Sequence, residues 1–231
     1  MAQSTVEGFE AFRSHMASAE GSYVVIGGIA CDILLSEADL PFRATHDFDT
    51  VLIADAGLPE AAKAIWSLVR DGKYRCGWGS DENTCFYRFT EPQTPGFPKM
   101  VEVFGKTPDF LGGTTDFEIG PLHIDDEVSS LSAIMLDDAY YQFMLGGVKT
   151  VVGISLLDES HLIPFKAKAY LDLKTRKDKG ESVDSNKIKK HQRDALSSLS
   201  FLRVKKSSIC PRLSHEIWLR SYPIASKRKS T

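Results

Sequence analysis

Two aspartates separated by one residue are the first side chains in this sequence that could do chemistry. Asp47, Phe48 and Asp49 begin the segment DFDTVLIA, whose apolar, β-branched residues predict a β-strand. Alternate residues of a strand share a face, so both carboxylates should lie on one side while Phe48 enters the core. Like charges this close repel unless a cation lies between them, and carboxylate oxygens suit Mg²⁺. The pair therefore indicates a magnesium site, with a solvated pair at a sheet edge as the alternative.

A pair of glycines precedes the aspartates. Gly27 and Gly28 lie between YVVI, a predicted buried strand, and a helix predicted through about Ser36. A strand that turns directly into a helix presents backbone N–H groups and the positive end of the helix dipole, and glycine has no Cβ to obstruct a phosphate. Paired glycines alone usually mark only a turn. Placed before an aspartate pair on the next strand, they predict that the two motifs frame one nucleoside triphosphate.

A third acid, Glu102, lies in the middle of the predicted strand MVEVF. It stands between Val101 and Val103, where burying an unpaired carboxylate would be costly. If this strand lies beside the one that carries Asp47 and Asp49, three carboxylates converge. The alternative is a glutamate on an exposed strand face.

The order of these motifs resembles the nucleotidyltransferase superfamily of the DNA polymerase β type. The fuller pattern is similar to its AbiEii/AbiGii-type branch, which belongs to bacterial abortive-infection and toxin–antitoxin systems. That branch has paired glycines at a helix start, an R-x-T-x-D-x-D stretch, a later helix with a lysine shortly before an alanine and an arginine, and a closing helix with a lysine shortly before an aspartate. The matching positions are Gly27, Gly28, Arg43, Thr45, Asp47, Asp49, Lys166, Ala169, Arg176 and Asp194.

The resemblance implies an enzyme that transfers a nucleoside monophosphate from an NTP, such as ATP, to a hydroxyl of RNA, a protein or a small molecule. It assigns the catalytic and metal-binding roles, with Mg²⁺ or Mn²⁺, to Asp47, Asp49 and Glu102. It assigns nucleotide binding to Gly27, Gly28, Arg43, Thr45 and Lys166. It also implies a toxin with an antitoxin partner, and the alternative is a catalytically silent binding protein of the same fold in a defence or toxin–antitoxin complex.

Two of the nucleotide-binding assignments have a purely structural alternative. Lys166 could lie on a solvated helix face, where it would contact no ligand. Arg43 could form a structural ion pair with Asp47 or Asp49.

The remaining pattern predicts an α+β fold, with a mixed β-sheet nucleotidyltransferase core flanked by helices and a C-terminal helical lobe. We expect the core at residues 1–157 and the helical lobe, with its basic tail, at 158–231. Further helices are predicted at 5–19, 58–70, 137–145, 162–179 and 184–202. Further strands are predicted at 74–76, 85–90, 121–124 and 149–157.

Composition limits the class of protein. Of the 231 residues, 42% are hydrophobic and 26% charged, as in soluble globular proteins, and no apolar segment is long enough to span a bilayer. A cytoplasmic protein without membrane contact is expected. The four cysteines show no zinc-binding spacing. The net charge of −3 conceals a basic C-terminal third, which could contact RNA or phosphate or could simply be solvated.

Overall fold

A computed structural model describes residues 6–53, 57–81, 84–105, 111, 119–121 and 138–207. For residues 78–81, 84–86, 119–121 and 198–207 only the backbone is described. The basic tail predicted beyond residue 207 therefore lies outside the described residues. The proposed boundary between two domains after residue 157 stays a prediction.

Eight strands of the described chain form a single mixed sheet. They are β1 Tyr23–Ile26, β2 Asp47–Leu52, β3 Arg75–Asp81, β4 Thr84–Thr90, β5 Met100–Gly105, β6 Ile119–Pro121, β7 Val148–Val151 and β8 Ile154–Leu157. Their order across the sheet is β6-β3-β4-β5-β2-β1-β8-β7. Strand β1 is antiparallel to β2 and parallel to β8, while β2 is parallel to β5. The predicted α+β class with a mixed sheet is confirmed.

Six α-helices flank the sheet in the part of the chain that the structure describes. They are α1 Phe9–Met16, α2 Gly27–Ser36, α3 Leu58–Gly72, α4 Asp138–Leu145, α5 Glu159–Asp178 and α6 Ser185–Ser207. A 3₁₀ turn, Ala17–Ala19, follows α1. Helices α1 and α3 contact each other, and Phe12 of α1 stacks on Phe48 at a centroid distance of 4.6 Å. Phe48 is fully buried, so the prediction that it enters the core is confirmed.

Helix α2 starts directly at the end of β1, with the bounds that the sequence predicted. Its apolar residues are buried on nearly every side because it packs against β1 and β2 and also against α5 and α6. The two C-terminal helices contact each other extensively. The start of α2 is therefore enclosed between the sheet and the C-terminal helices.

Two predicted elements differ from the structure. Residues 149–157, predicted as one strand, form a hairpin, because Val152 and Gly153 both adopt positive φ angles of 44° and 80° and reverse the chain. Helix α5 begins at Glu159, earlier than predicted, because the Asp158 side chain caps it by accepting from the His161 backbone N–H. Pro164 consequently lies inside the helix instead of in its first turn.

Of the predicted strand at 121–124, only its first residue belongs to β6, and 122–124 lie outside the described residues. Across the described ranges, every helix is too short or too polar to cross a membrane.

Candidate active site

The three predicted acids meet on neighbouring strands of the sheet. Asp49 of β2 is paired in register with Glu102 of β5, and Glu102 is paired with Arg88 of β4. Residues paired in register share a face of the sheet, so these three side chains form a row across three strands. Asp47 lies on the same face, two residues before Asp49, and both aspartates are half-buried. We call Asp47 and Asp49 the acid pair; the sheet register places Glu102 beside it.

Glu102 is buried, with 4% of its surface exposed, and Arg88 Nε donates to its Oε1 at 2.6 Å. The alternative of an exposed strand face is therefore wrong, because Arg88 compensates the charge that burial would otherwise make costly. In the described part of the chain, no three or more His, Cys, Asp or Glu side chains are already gathered around a metal position. Metal binding by Glu102 stays a prediction. Arg88 itself, an arginine between Tyr87 and Phe89, was not identified from the sequence.

The glycine turn, Gly27 and Gly28, lies against the acid pair and the segment that leads into β2. Gly27 has a φ of +72°, and a Cβ there would collide with the Asp49 carboxylate. A Cβ on Gly28 would lie 2.5 Å from Thr45 Oγ1 and 3.3 Å from Arg43 Nη2. Only glycine permits this close approach. The N-terminus of α2, where backbone N–H groups attract anions, is thus directly beside Asp49, Thr45 and Arg43.

Asp194, a buried carboxylate on α6, binds the side chains of Arg43 and Lys166, the two basic residues that the family resemblance assigned to nucleotide binding. Arg43 donates from Nε to Asp194 Oδ1 at 2.8 Å and from Nη2 to Oδ2 at 2.9 Å. Lys166 Nζ of α5 donates to the same Oδ2 at 3.0 Å. Asp194 is 1% exposed. We call these three residues the Asp194 cluster, which ties the segment before β2 to both C-terminal helices.

The cluster bears on both structural alternatives. Arg43 does form a structural ion pair, and Asp194 is one partner. Lys166 is not on a solvated face, since only 6% of its surface is exposed. Its exclusion from water follows from the packing of α5 against α2 and α6.

The residues of the Asp194 cluster stabilise one another's charged forms. Burial lowers the pKa of Lys166, but the attraction of Cys31, Asp194 and Asp49 outweighs burial, and the pKa is raised. Burial raises the pKa of Asp194, but hydrogen bonds and charge from Arg43 and Lys166 outweigh burial, and the pKa falls to about 2. All three groups are therefore charged near neutral pH. The attraction between Lys166 and Asp49 also links the cluster to the acid pair.

A second group of polar side chains lies at the start of α5, where Asp158, Ser160 and His161 hydrogen-bond to one another. Ser160 and Asp158 both contact the same ring nitrogen, Nδ1, so this is not the relay arrangement of a catalytic serine. The group caps the helix. Its capping hydrogen bonds lower the pKa of Asp158 to about 2 against the effect of burial.

Two of the solved structures that match this chain are similar over most of its length. An antigenic nucleotidyltransferase-like protein from Paracoccidioides brasiliensis is 14% identical, with a TM-score of 0.39, over 84% of this chain and 77% of that one. The antibiotic-resistance factor ANT(2'')-Ia is 8% identical, with a TM-score of 0.38, over 86% of this chain and 89% of that one. No protein-family model matches the chain, and no curated protein matches it. Similarity at these scores does not establish the activity.

Proposed function

We propose that the chain is a metal-dependent nucleotidyltransferase that moves a nucleoside monophosphate from an NTP to a hydroxyl of RNA, a protein or a small molecule, with pyrophosphate as the leaving group. The observation that carries the proposal is the contact between the Gly27 backbone and the Asp49 carboxylate. It brings an anion-binding helix N-terminus and a carboxylate pair to one place. A phosphate bound at the helix N-terminus and a divalent cation bound by the carboxylate pair would then be neighbours.

The acid pair fits Mg²⁺ or Mn²⁺ by its chemistry. Asp47 and Asp49 are hard oxygen donors on one face of β2, half-buried and therefore still open to a ligand. Glu102, paired in register with Asp49, would be the third acid of the site. A bound ion would neutralise phosphate charge and increase the acidity of an attacking hydroxyl.

The chain's own groups would bind and orient the substrates. The N–H groups of the glycine turn would hold the β and γ phosphates, with the Thr45 hydroxyl beside Gly28 as a further donor. Lys166, positively charged and attracted by Asp49, would neutralise the triphosphate from the side of the C-terminal helices. The Glu102 carboxylate would accept the proton of the attacking hydroxyl.

A labelled-NTP assay tests the proposal. Purified protein is incubated in turn with each of the four labelled NTPs, Mg²⁺ or Mn²⁺, and total RNA, a protein extract or small hydroxyl compounds. We expect label to transfer to one acceptor class in a manner that EDTA and Asp47→Asn both abolish. Transfer that survives Asp47→Asn would contradict the assignment of the acid pair.

The ion pair between Glu102 and Arg88 favours a second candidate, a silent binding protein that holds an NTP but transfers nothing. Arg88 already neutralises the third acid of the site. Under this alternative, isothermal titration would show NTP binding to the wild type, whereas label would reach none of the acceptors. Arg88→Met separates the two, since activity that appears only after this change would show that Arg88 holds the site inactive.

The role of a toxin is also proposed, from the resemblance to the AbiEii/AbiGii-type branch. Induced expression in a bacterial host should then arrest growth, and Asp49→Asn should restore it at equal protein level. Arrest by both proteins would show that the toxicity does not depend on the site. A protein that restores growth when co-expressed and co-purifies with the chain would be the antitoxin partner.

A further inference from the structure

We propose that Asp194 is a positioning residue of the nucleotide site, whose carboxylate holds Arg43 and Lys166 where they meet the triphosphate. The inference rests on the proposed function and adds to it a residue that contacts no substrate. It follows from three features of the Asp194 cluster, which are the use of both carboxylate oxygens, the place where Arg43 is held, and the sharing of one oxygen with Lys166.

Both oxygens of Asp194 accept hydrogen bonds, so the carboxylate orients its partner side chains as well as attracting their charge. Arg43 uses two parallel N–H donors, an arrangement that fixes the plane of its guanidinium. This plane lies at the glycine turn, because Nη2 is only 3.3 Å from the position of a Cβ on Gly28. The Arg43 side chain is 31% exposed. Without Asp194, the guanidinium would lose the two hydrogen bonds that fix its plane at the turn and would gain conformations that point away from it.

Lys166 depends on the same oxygen. Its ammonium has three N–H donors, and one of them reaches Asp194 Oδ2. Asp49 also attracts Lys166, and Asp32 interacts with Arg43, so other carboxylates lie near both cations. Asp194 thereby holds the two cations beside Asp49 and the glycine turn, where a triphosphate and its metal would meet them.

The rival explanation is that Asp194 only ties α6 to the rest of the fold. A purely structural tie would change the free energy of unfolding and leave the affinity of folded protein for NTP untouched. The two explanations therefore differ in a quantity that can be measured on fully folded protein.

The test is NTP binding by isothermal titration with Mg²⁺, at fixed salt and at a temperature where circular dichroism shows each variant folded. The variants are Asp194→Asn and, as the matched control, Asp178→Asn, which makes the same change at an exposed position at the end of α5. We expect Asp194→Asn to raise the Kd for NTP roughly tenfold to a hundredfold, the range for losing hydrogen bonds between charged groups. Asp178→Asn should bind like the wild type.

A second variant, Asp194→Glu, keeps the proposal testable if Asp194→Asn does not fold. It retains the charge but displaces the carboxylate by one methylene group, so its affinity should lie between those of wild type and Asp194→Asn, roughly threefold or more below wild type. Wild-type affinity in a folded Asp194→Asn, or in Asp194→Glu if only that variant folds, would overturn the positioning role while leaving the proposed function standing. A wild type that binds no NTP would overturn both.

Discussion

The acid pair on β2 and the Asp194 cluster place carboxylates in opposite situations within the same site. Asp47 and Asp49 are half-buried and bring two like charges to one strand face. Asp194 is buried, and two cations surround it. The half-buried acid pair loses less hydration than Asp194 does, but its two carboxylates repel each other. A bound metal ion would relieve that repulsion. The cluster has already relieved its charge within the chain.

The difference separates chemistry from positioning. A carboxylate whose charge is balanced by side chains of the fold is part of the architecture, and its removal takes an ion-pair partner away from the cations around it. Carboxylates held close together at a surface cost stability, and a ligand has to compensate for that cost. Changes to the acid pair should therefore affect activity, and changes to the cluster should affect stability first.

The largest effect should come from Asp49→Asn, which keeps the shape of the side chain and removes one charge of the acid pair. We expect transfer to fall by about 10³-fold or more, a loss typical of removing a group that stabilises the transition state. The free energy of unfolding should change by no more than about 0.5 kcal/mol, since like-charge repulsion is relieved. Glu37→Gln, an exposed change at the end of α2, is the control. Unfolding of Asp49→Asn at lower denaturant together with normal transfer would reverse the comparison.

The next effect should be on stability, in Asp194→Ala. Removing this carboxylate leaves Arg43 and buried Lys166 without their shared partner, and we expect a loss of about 3–5 kcal/mol in the free energy of unfolding. Urea unfolding followed by circular dichroism measures it. A loss no larger than that of Asp178→Asn would show that the cluster does not stabilise the fold.

The Asp194 cluster should also make the free energy of unfolding depend on pH in the acid range. A carboxyl whose pKa is lowered on folding contributes stability above its unfolded pKa, and the contribution is lost as pH falls through the folded pKa. For Asp194 the unfolded pKa is the ordinary value of 3.8 and the folded pKa is about 2. The free energy of unfolding should therefore fall by about 2 kcal/mol between roughly pH 4 and pH 2.

Asp194→Asn should flatten this part of the curve of unfolding free energy against pH. Asp158, whose pKa is also about 2, should still contribute to the remaining acid sensitivity. The check is the urea midpoint across that pH range, and parallel curves for wild type and variant would refute the assignment.

The smallest effect should follow from Lys166→Met, which keeps most of the apolar stem and removes one charge. The affinity for NTP should fall about tenfold, equivalent to about 1.4 kcal/mol, because one charged contact with the triphosphate is lost. Lys189→Met, at an exposed position of α6, is the matched control. Titrations of both at the same salt concentration are required, since screening alone weakens such contacts. Equal affinities would remove Lys166 from the nucleotide site.

Much of the sheet was predictable because its signals are local. The β-branched run before the glycine turn and the alternation around Phe48 identified β1 and α2 with their observed bounds and β2 from its first residue, with a predicted end two residues late. The hairpin of β7 and β8 was missed because valine rarely adopts the positive φ angle of Val152, so the segment carries no clear turn signal.

The residues of the candidate site were also identified in sequence, and the structure brings them together. Their partners were not. Arg88 reaches Glu102 across a strand pair, and Asp194 reaches Arg43 from 151 residues away. Pairing between residues so far apart in the chain leaves no local pattern in the sequence. No periodicity or spacing could therefore show that Arg88 and Arg43 are paired with these carboxylates.

The sequence by itself determined the chemistry available to this protein, namely two carboxylates on one strand face and a glycine turn that leaves a helix N-terminus open. These depend on residue type and on spacing within a few residues, which backbone geometry converts directly into position. Only the tertiary structure decided which charges are balanced. Strand register set Glu102 against Arg88, and helix packing set Asp194 against Arg43 and Lys166. Burial then fixed those charges in place, because a buried ion is stable only with the partner that the fold supplies.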